Sequence, residues 1–248
     1  MTSVPALEID NLKKAFGGLT VTENVSLNIA SGERRLIIGP NGAGKTTLFN
    51  QISGDLRPNA GKIRLFGEDI THLPPYKRAH CGLSRTYQII TLFGSDTIEH
   101  NVSLSLLGLR ASRWQIWLPM SFYTDIAKEA RRTLDTVGLL HLADQPVSDV
   151  AYGERRRVEL AIALAQKPRL LLLDEPLAGL SNTERSVVKS LIASIPRETT
   201  VIMIEHDMDT ALDLAETVTL LNYGRVIVDG DRDAVISDER TREVYLGT

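Results

Sequence analysis

GPNGAGKTT, residues 39–47, brings three glycines, one lysine and two threonines together in a single turn. It follows the apolar run Leu36-Ile37-Ile38, and residues 46–52 after it have the spacing of a helix. From Gly39 to Thr46 the stretch matches the pattern G-x-x-x-x-G-K-[ST]. Glycine lets backbone N–H groups turn inward around an anion, and the helix N-terminus adds the positive end of its dipole. This order of strand, loop and helix predicts a phosphate-binding loop.

The residues of this loop have separate predicted roles toward a nucleoside triphosphate. Lys45 would reach the β and γ phosphates, and the Thr46 hydroxyl would ligate Mg²⁺. The predicted nucleotide-binding set is the whole stretch: Gly39, Pro40, Asn41, Gly42, Ala43, Gly44, Lys45, Thr46 and Thr47. The alternative is a glycine-rich turn that carries an exposed lysine. We expect Lys45 to lie on an exposed loop in either case.

A second polar signal lies in LLLLDEP, residues 170–176. Its four leucines predict a buried parallel strand, so Asp174 and Glu175 would lie at the carboxyl end, where α/β sheets bind ligands. Asp174 suits a water-mediated Mg²⁺ contact, and Glu175 suits a carboxylate that orients or deprotonates the attacking water. Acidic residues also favour helix starts, so a simple helix N-terminus is the alternative. The phosphate-binding loop favours the catalytic interpretation.

The rest of the pattern predicts an α/β core interrupted by a helical block. Short β-type runs lie at residues 7–12, 25–29, 34–38, 62–66, 83–87, 170–173 and 200–204, with two more around residues 222–224. Helices are predicted at residues 46–52, 124–137, 184–195 and 208–215. Residues 96–167 show helical periodicity with few strand signals. We therefore predict that this block is inserted between two parts of the core.

Composition and charge narrow the class of protein. A net charge of −3 and a pI near 6.0 do not favour nucleic-acid binding as the main activity. The single cysteine, Cys81, excludes an internal disulfide framework. The N-terminus lacks the pattern of a signal peptide, and no run of about 18 apolar residues occurs. These features predict a cytoplasmic chain that does not span a membrane, although it can dock onto a membrane protein.

The order of these motifs resembles that of the nucleotide-binding subunit of ABC transporters along nearly the whole chain. The resemblance implies that Gln88 in LSRTYQ is the Q-loop glutamine, which acts in catalysis and as a metal ligand. It implies that His206 in VIMIEHD is the switch histidine and that Phe16 in KKAFGG stacks on adenine. Taken singly, each is a weak signal, because such residues are more often surface, core or structural residues.

The same resemblance implies the architecture and the partners. The fold would be a P-loop NTPase core with a mostly parallel sheet, an N-terminal antiparallel β subdomain and an inserted α-helical subdomain. Residues 1–248 would form one domain, with the core in 1–88 and 168–248 and the helical subdomain in about 89–167. Two such ATPase subunits, identical or homologous, would pair head to tail around ATP and Mg²⁺. They would drive two integral membrane permease subunits from the cytoplasmic face of the inner (plasma) membrane, and a periplasmic solute-binding protein would act indirectly.

The family signature, usually LSGGQ, aligns with VAYGERRRVELA at residues 150–161. Ala151 replaces the serine whose hydroxyl normally meets the γ-phosphate of the partner subunit's nucleotide, and Tyr152 replaces the first glycine. Gly153 is retained, and Ser181 ends AGLS where aspartate is usual. We expect backbone N–H groups at the start of the following helix to bind the phosphate instead. The predicted set toward the partner's nucleotide is Ala151, Tyr152, Gly153 and Glu154.

These departures resemble the ATPases of the branched-chain amino-acid importer family, in the form conventionally labelled G. The shared segments are FGGL, RTYQ, AYG, EHDM and the closing VYLG. The resemblance implies import of branched-chain or other hydrophobic amino acids, with urea, amides and aromatic acids as alternatives. GERRRVE also resembles the lipopolysaccharide-export ATPase, which ranks second. A soluble P-loop ATPase of DNA repair or translation, or a P-loop kinase or GTPase, is the alternative from a different class.

Residues 109–123, LRASRWQIWLPMSFY, contain both tryptophans of the chain. The stretch is too short to span a bilayer. Trp114 and Trp117 are three residues apart, so on a helix they would share a face. With the groove near Gln88, this stretch is predicted to dock the membrane subunit. The alternative is that its aromatic rings pack onto the chain's own helical subdomain.

Overall fold

The computed structural model describes residues 4–88, 91–110, 122–205 and 211–246, and its larger sheet has six strands. These are β3 (Arg34–Ile38), β6 (Leu83–Arg85), β7 (Leu170–Asp174), β8 (Thr200–Ile204), β9 (Thr217–Asn222) and β10 (Arg225–Asp231). They lie in the order β10-β9-β3-β8-β7-β6, and all neighbours are parallel except β9 and β10. The carboxyl ends of the parallel strands therefore meet at one edge of the sheet.

The parallel strands are apolar because the sheet is covered on both faces. Strands β3, β7 and β8 are buried along their whole length. Successive side chains point to opposite faces, so Ile37 belongs to one hydrophobic core while Leu36 and Ile38 belong to the other. In β7, Leu170 and Leu172 alternate with their neighbours in the same way. This double burial explains the uninterrupted apolar runs in the sequence.

The smaller sheet is antiparallel and contains the N-terminal strands. Its members are β1 (Leu7–Phe16), β2 (Leu19–Ile29), β4 (Ala60–Leu65) and β5 (Glu68–Asp69), in the order β2-β1-β4-β5. Helix α1 (Lys45–Ser53) packs between the two sheets: its Phe49 and Ile52 share a hydrophobic core with strands of both. A short helix, α2 (Pro75–His80), follows β5. The packing of α1 on both sheets fixes the start of that helix, where the phosphate-binding loop ends.

Within the described residues, three helices lie in the block between β6 and β7. They are α3 (Ile98–Leu109), α4 (Thr124–Thr136) and α5 (Tyr152–Ala165). In α4 the buried residues Ile126, Ala130 and Leu134 are four apart, so they lie on one face of the helix. That face packs into a separate hydrophobic core with apolar residues of α3 and α5.

The other described helices follow the core strands. They are α6 (Asn182–Ser194), α7 (Arg232–Ser237) and α8 (Glu239–Leu246), with 3₁₀ turns at Leu140–Leu142, Val147–Asp149 and Leu212–Leu214. None of the helices in the described ranges has the length and apolar character to cross a membrane.

The predicted fold class is confirmed, with shifts at the ends of elements. Strands β1 and β2 are longer than predicted because they form a hairpin across the turn at Gly17 and Gly18. The strand predicted at 83–87 ends at Arg85. The helix predicted at 208–215 lies partly outside the described residues, and its described end includes a 3₁₀ turn. The stretch with Trp114 and Trp117 is also outside them.

Candidate functional site

The phosphate-binding loop joins β3 to α1 and depends on glycine for steric reasons. A Cβ atom at Gly39 would lie 2.1 Å from the carbonyl oxygen of Leu221 in β9. At Gly44 it would lie 2.5 Å from the carbonyl oxygen of Val21, and the backbone there has a left-handed φ of 100°. Any side chain at these two positions would push the loop away from β2 and β9. The predicted loop is therefore present, tightly enclosed by the strands around it.

Lys45 is buried, contrary to the prediction that it lies on an exposed loop. It is the first residue of α1 and only 5% exposed. Its Nζ donates to the carbonyl oxygens of Gly39, at 2.7 Å, and Pro40, at 3.0 Å. Burial lowers the pKa of Lys45, and the negative charges of Glu175 and Asp174 oppose that shift. The backbone of the loop thus surrounds the Lys45 ammonium group. The sequence pattern of a glycine-rich turn gave no sign of this burial.

Asp174 ends β7 and is 1% exposed. Burial raises the pKa of its carboxyl group, while the hydrogen bond from Arg85 acts in the opposite direction. Arg85 donates to Oδ2 at 2.7 Å, whereas Oδ1 is buried and has no hydrogen-bond partner within the described part of the chain. Leaving a buried carboxylate oxygen without a hydrogen-bond donor costs free energy. A water molecule bound to Mg²⁺ is a suitable donor for this oxygen. Thr46, another predicted metal ligand, is exposed and carries a hydroxyl oxygen. With the Asp174 carboxylate it offers oxygen donors of the kind that Mg²⁺ prefers, so these residues fit the metal.

The side chains of Gln88 and Glu175, two of the predicted catalytic residues, are in contact. Gln88 follows β6 and Glu175 follows β7, and these two strands are neighbours. The Gln88 side-chain amide donates to Glu175 Oε2 at 3.0 Å. Glu175 is 7% exposed and has a left-handed φ of 48°, an uncommon conformation for a residue other than glycine. A carboxylate held beside an amide donor in this way can accept a proton from a water molecule that the amide orients.

Two buried arginines were not predicted from the sequence, one beside Asp174 and one beside the backbone of Gln88 and Glu175. Arg85 contacts Asp174, and Arg156 of α5 donates to the backbone oxygens of Tyr87 at 3.0 Å, Gln88 at 3.2 Å and Glu175 at 3.4 Å. The signal was present, because an arginine inside a β-type run or on the apolar side of a helix needs a buried partner.

A third contact that was missed comes from the C-terminal helix. The hydroxyl oxygen of Tyr245 in α8 accepts a hydrogen bond from the Gly39 N–H at 2.9 Å. Burial raises the pKa of the Tyr245 phenol, and this hydrogen bond opposes the shift. The pattern of the closing VYLG indicates only a family resemblance and gives no sign that its tyrosine touches the loop.

The signature segment forms the N-terminus of α5. Ala151 is the N-cap residue, with extended backbone and no side-chain cap. Glu154 accepts a hydrogen bond from the Ala151 N–H at 2.8 Å, so its carboxylate caps its own helix. A Cβ atom at Gly153 would lie 2.2 Å from the Glu184 carboxylate of α6. Tyr152 is 44% exposed beside this turn. The segment therefore has exposed positions that can meet a second molecule, while Gly153 leaves room for the Glu184 side chain of α6.

The two remaining predicted residues differ in how far the structure describes them. Phe16 ends β1 and is 50% exposed, as a ring that stacks on a ligand must be. The Nζ atom of Lys14 lies 5.2 Å from the centre of that ring. His206 lies outside the described residues, and its role stays a prediction.

Comparison of sequences places this site in a known context. Residues 22–178 match the family described as ABC transporter. The chain is 35% identical to the high-affinity branched-chain amino acid transport ATP-binding protein BraF of Pseudomonas aeruginosa, with 99% of each chain covered. It is 32% identical to LivG of Escherichia coli, a protein of the same description, again with 99% of each covered. It is 34% identical to the lipopolysaccharide export system ATP-binding protein LptB of Haemophilus influenzae, with 97% of each covered.

Solved structures agree with the sequence comparison. The ADP conformation of an ATP-binding cassette of an ABC transporter superposes with a TM-score of 0.85 at 27% identity, covering 98% of this chain and 99% of that one. A nucleotide-free ATP-binding cassette superposes with a TM-score of 0.84, also at 27% identity, covering 98% of this chain and all of that one.

Proposed function

This chain belongs to the ABC transporter family, and from that membership we propose that it hydrolyses ATP with Mg²⁺ to power a membrane importer. The solutes we propose are branched-chain or other hydrophobic amino acids. The observation that carries the proposal is the contact between Gln88 and Glu175, on the sheet edge that also holds Lys45 and Asp174. Two relatives that match nearly the full chain, BraF and LivG, support the solute class.

The chemistry assigned to this chain is positioning, proton transfer and charge stabilisation. Lys45 exchanges the two loop carbonyls for phosphate oxygens of ATP. Glu175 accepts a proton from the attacking water, and the Gln88 amide orients that water. Thr46, Gln88 and Asp174 are the residues that would hold Mg²⁺, which would supply neutralisation of phosphate charge. His206 is proposed to act in catalysis as the switch histidine, and Phe16 to stack on the adenine.

The proposed assembly pairs this chain head to tail with a second ATPase subunit, identical or homologous. The phosphate-binding loop of one subunit and the signature segment of the other then hold each ATP between them. In the signature segment, Ala151 has no hydroxyl group, so the proposed phosphate contact falls to backbone N–H groups at the start of α5. Two of these would first have to leave a carboxylate, because the Ala151 N–H donates to Glu154 and the Gly153 N–H to Glu184. Glu154 is the weakest member of the predicted set, because its carboxylate is engaged at Ala151.

The proposed membrane contact lies beside Gln88. A cavity of about 540 Å³ opens there, lined by Gln88, Leu92, Gly94, Val147, Ser148, Tyr152 and Arg155. It lies between the segment after β6 and the start of α5, so a permease segment seated in it would touch both. We propose that one permease subunit docks in this way on each of the two ATPase subunits, at the cytoplasmic face of the membrane. The docking role predicted for Trp114 and Trp117 falls outside the described residues and stays a prediction. A periplasmic solute-binding protein would act on the permeases and not on this chain.

The second candidate is the ATPase of lipopolysaccharide export. One observation favours it: the 34% identity to LptB, which is close to the values for BraF and LivG. Uptake of amino acids separates the two candidates, because an export ATPase has no part in it.

Glu175→Gln tests the enzymatic part of the proposal. The change removes the general base and keeps the phosphate-binding loop, so ATP binding is retained and turnover falls about 10²–10⁴-fold. The matched control is Glu198→Gln, an exposed glutamate before β8 at the opposite edge of the sheet. Near-normal hydrolysis by the Glu175→Gln chain, assembled with its membrane subunits, would refute the assignment.

A further inference from the structure

Arg85 is held by an unusual number of partners for one side chain. It is the last residue of β6, and its side chain is 4% exposed. One terminal nitrogen donates to Asp174 Oδ2 at 2.7 Å. The other donates to Asn50 Oδ1 at 2.7 Å, to Ser53 Oγ at 3.0 Å and to Asp55 Oδ2 at 3.3 Å. Asn50 and Ser53 belong to α1, so the guanidinium joins the helix of the phosphate-binding loop to the end of β7.

Two aromatic rings fix the plane of the same guanidinium. Its central carbon lies 4.8 Å from the centre of the Tyr87 ring and 5.6 Å from that of Phe49. Such contacts stabilise a cation more strongly when water is excluded. The Tyr87 hydroxyl donates to Asp55 Oδ2 at 3.2 Å, so this ring is itself anchored. Arg85 is therefore contacted from the sides as well as at both terminal nitrogens, while its buried Nε atom has no hydrogen-bond partner within the described ranges.

The consequence for Asp174 is that its two carboxylate oxygens are not equivalent. Oδ2 is engaged by Arg85, while Oδ1 has no hydrogen-bond partner within the described ranges. The backbone N–H of Asp174 donates to Thr86 Oγ1 at 3.3 Å, so the main chain is held by the residue after Arg85. Rotation of the carboxylate would cost the charge-assisted bond to Arg85.

From this geometry we propose that Arg85 is a positioning residue for Asp174: it occupies Oδ2 and so presents Oδ1 toward the divalent cation of the bound nucleotide. The inference rests on the proposed function, because only a Mg–ATP enzyme needs that oxygen aimed. It also assigns a role to the RTYQ segment as a unit. Arg85 and Thr86 hold Asp174, Tyr87 holds Arg85, and Gln88 holds Glu175.

Two other roles for Arg85 make different predictions. A purely structural arginine would change the stability of the fold without acting on the metal. An arginine that stands in for the cation would compete with it, and its removal would strengthen metal-dependent binding. Groups that hydrogen-bond to and orient metal ligands typically contribute about 10- to 100-fold to metal affinity. The three roles are thus separated by the effect of Mg²⁺ on nucleotide binding.

The experiment is calorimetric titration of the full-length chain with a non-hydrolysable ATP analogue, once in Mg²⁺ and once in EDTA. For each variant the ratio of the two affinities is compared, so a general loss of folded protein affects both arms and cancels. Arg85→Gln is expected to lower the ratio about 10- to 100-fold while the EDTA affinity stays within about threefold. Arg85→Lys should give an intermediate ratio, because lysine keeps the charge but not the forked geometry. It also keeps the test decisive if Arg85→Gln does not fold.

The matched control is Arg35→Gln. Arg35 is equally buried, in β3, and is paired with Glu33 at 2.6 Å and Asp229 at 2.5 Å. Its loss should disturb the fold comparably and leave the Mg²⁺-to-EDTA ratio at the wild-type value.

An unchanged ratio in the Arg85 variants would overturn the positioning role and indicate a purely structural arginine. An increased ratio would also overturn it and indicate an arginine that competes with the cation. A wild-type chain that does not bind the analogue in either buffer would instead contradict the nucleotide-binding function itself.

Discussion

At the scale of single residues, the site depends on cations that have hydrogen-bond partners within the chain. Lys45 donates to the carbonyls of Gly39 and Pro40, and Arg85 donates to Asp174. The present acceptors of Lys45 are uncharged carbonyl oxygens, so anionic phosphate oxygens would hold its ammonium group more strongly. Arg85 already has a charged acceptor, so it has less to gain from the ligand. We therefore propose that Lys45 binds phosphate, whereas Arg85 holds a side chain of the metal site.

Lys45→Ala tests the first of these roles. Removing a charge-assisted contact with the phosphates should weaken ATP binding about 10- to 100-fold and stop hydrolysis. We expect a small change in melting temperature despite the burial of Lys45, since Asn41 and Gly42 beside it are exposed and water can reach the vacated carbonyls. The control is Lys62→Ala, an exposed lysine in β4. Unchanged nucleotide affinity in calorimetry would contradict the phosphate-loop assignment.

At the scale of elements, the N-termini of α5 and α6 form a pair with contrasting caps. At α6 the Ser181 side chain accepts from the Glu184 N–H, and the Glu184 carboxylate accepts from the Ser181 N–H at 2.9 Å. At α5, Ala151 has the same extended backbone and cannot cap. Hydrogen bonds from Ser181, and then one from the Gly153 N–H, hold the pKa of the Glu184 carboxyl below its usual value. Ser181 at the start of α6 and Ala151 at the start of α5 thus have opposite effects on the ends of their helices.

These caps lead to a reciprocal prediction. Ala151→Ser supplies the missing acceptor and should stabilise the fold by about 1 kcal/mol, whereas Ser181→Ala should destabilise it by about as much. For a chain of this size that corresponds to roughly 2–4 °C in opposite directions. Thermal melts of the two variants beside wild type measure it. Shifts of the same sign would mean that the caps do not control these helix ends.

The link between α5 and the catalytic edge depends on a buried ion pair. Arg156 donates to Glu159 Oε2 at 2.9 Å, with side chains 3% and 9% exposed. Burial raises the pKa of Glu159, and Arg156 opposes that shift. Removing one partner of such a pair typically costs about 3–5 kcal/mol, because the other is left charged and buried.

A double-mutant cycle of Arg156→Met and Glu159→Leu should therefore show a coupling energy of about 1–3 kcal/mol in denaturant unfolding. The matched control pair is Glu154 and Arg157, which have the same spacing in α5, are 3.9 Å apart and are more exposed. Its coupling should lie within about 0.5 kcal/mol of zero. Equal coupling in both cycles would remove the special role of the buried pair.

At the scale of the whole molecule, the sequence was enough to predict which motifs meet at the carboxyl edge of the larger sheet. It was not enough to predict the hydrogen bonds that Arg85, Arg156 and Tyr245 make behind that edge. The glycine spacing of residues 39–47 and the apolar run before Asp174 are local patterns, and the rule for parallel strands brings their ends together. The contacts of Arg85, Arg156 and Tyr245 depend on which helix packs against which strand, and short-range patterns do not encode that. The same limit explains why Lys45 was expected to be exposed.

The pairing with a second ATPase subunit and with two permeases follows from family membership and stays a proposal. Its most direct test uses the chain purified together with the membrane proteins encoded beside its gene, in proteoliposomes, with leucine-loaded solute-binding protein outside. The tagged chain is expected to carry the membrane proteins with it. Its ATP turnover should rise when the loaded binding protein is added and fall about 10²–10⁴-fold in Glu175→Gln. A chain that hydrolyses ATP but forms no complex, or a complex whose turnover is the same in Glu175→Gln, would contradict it.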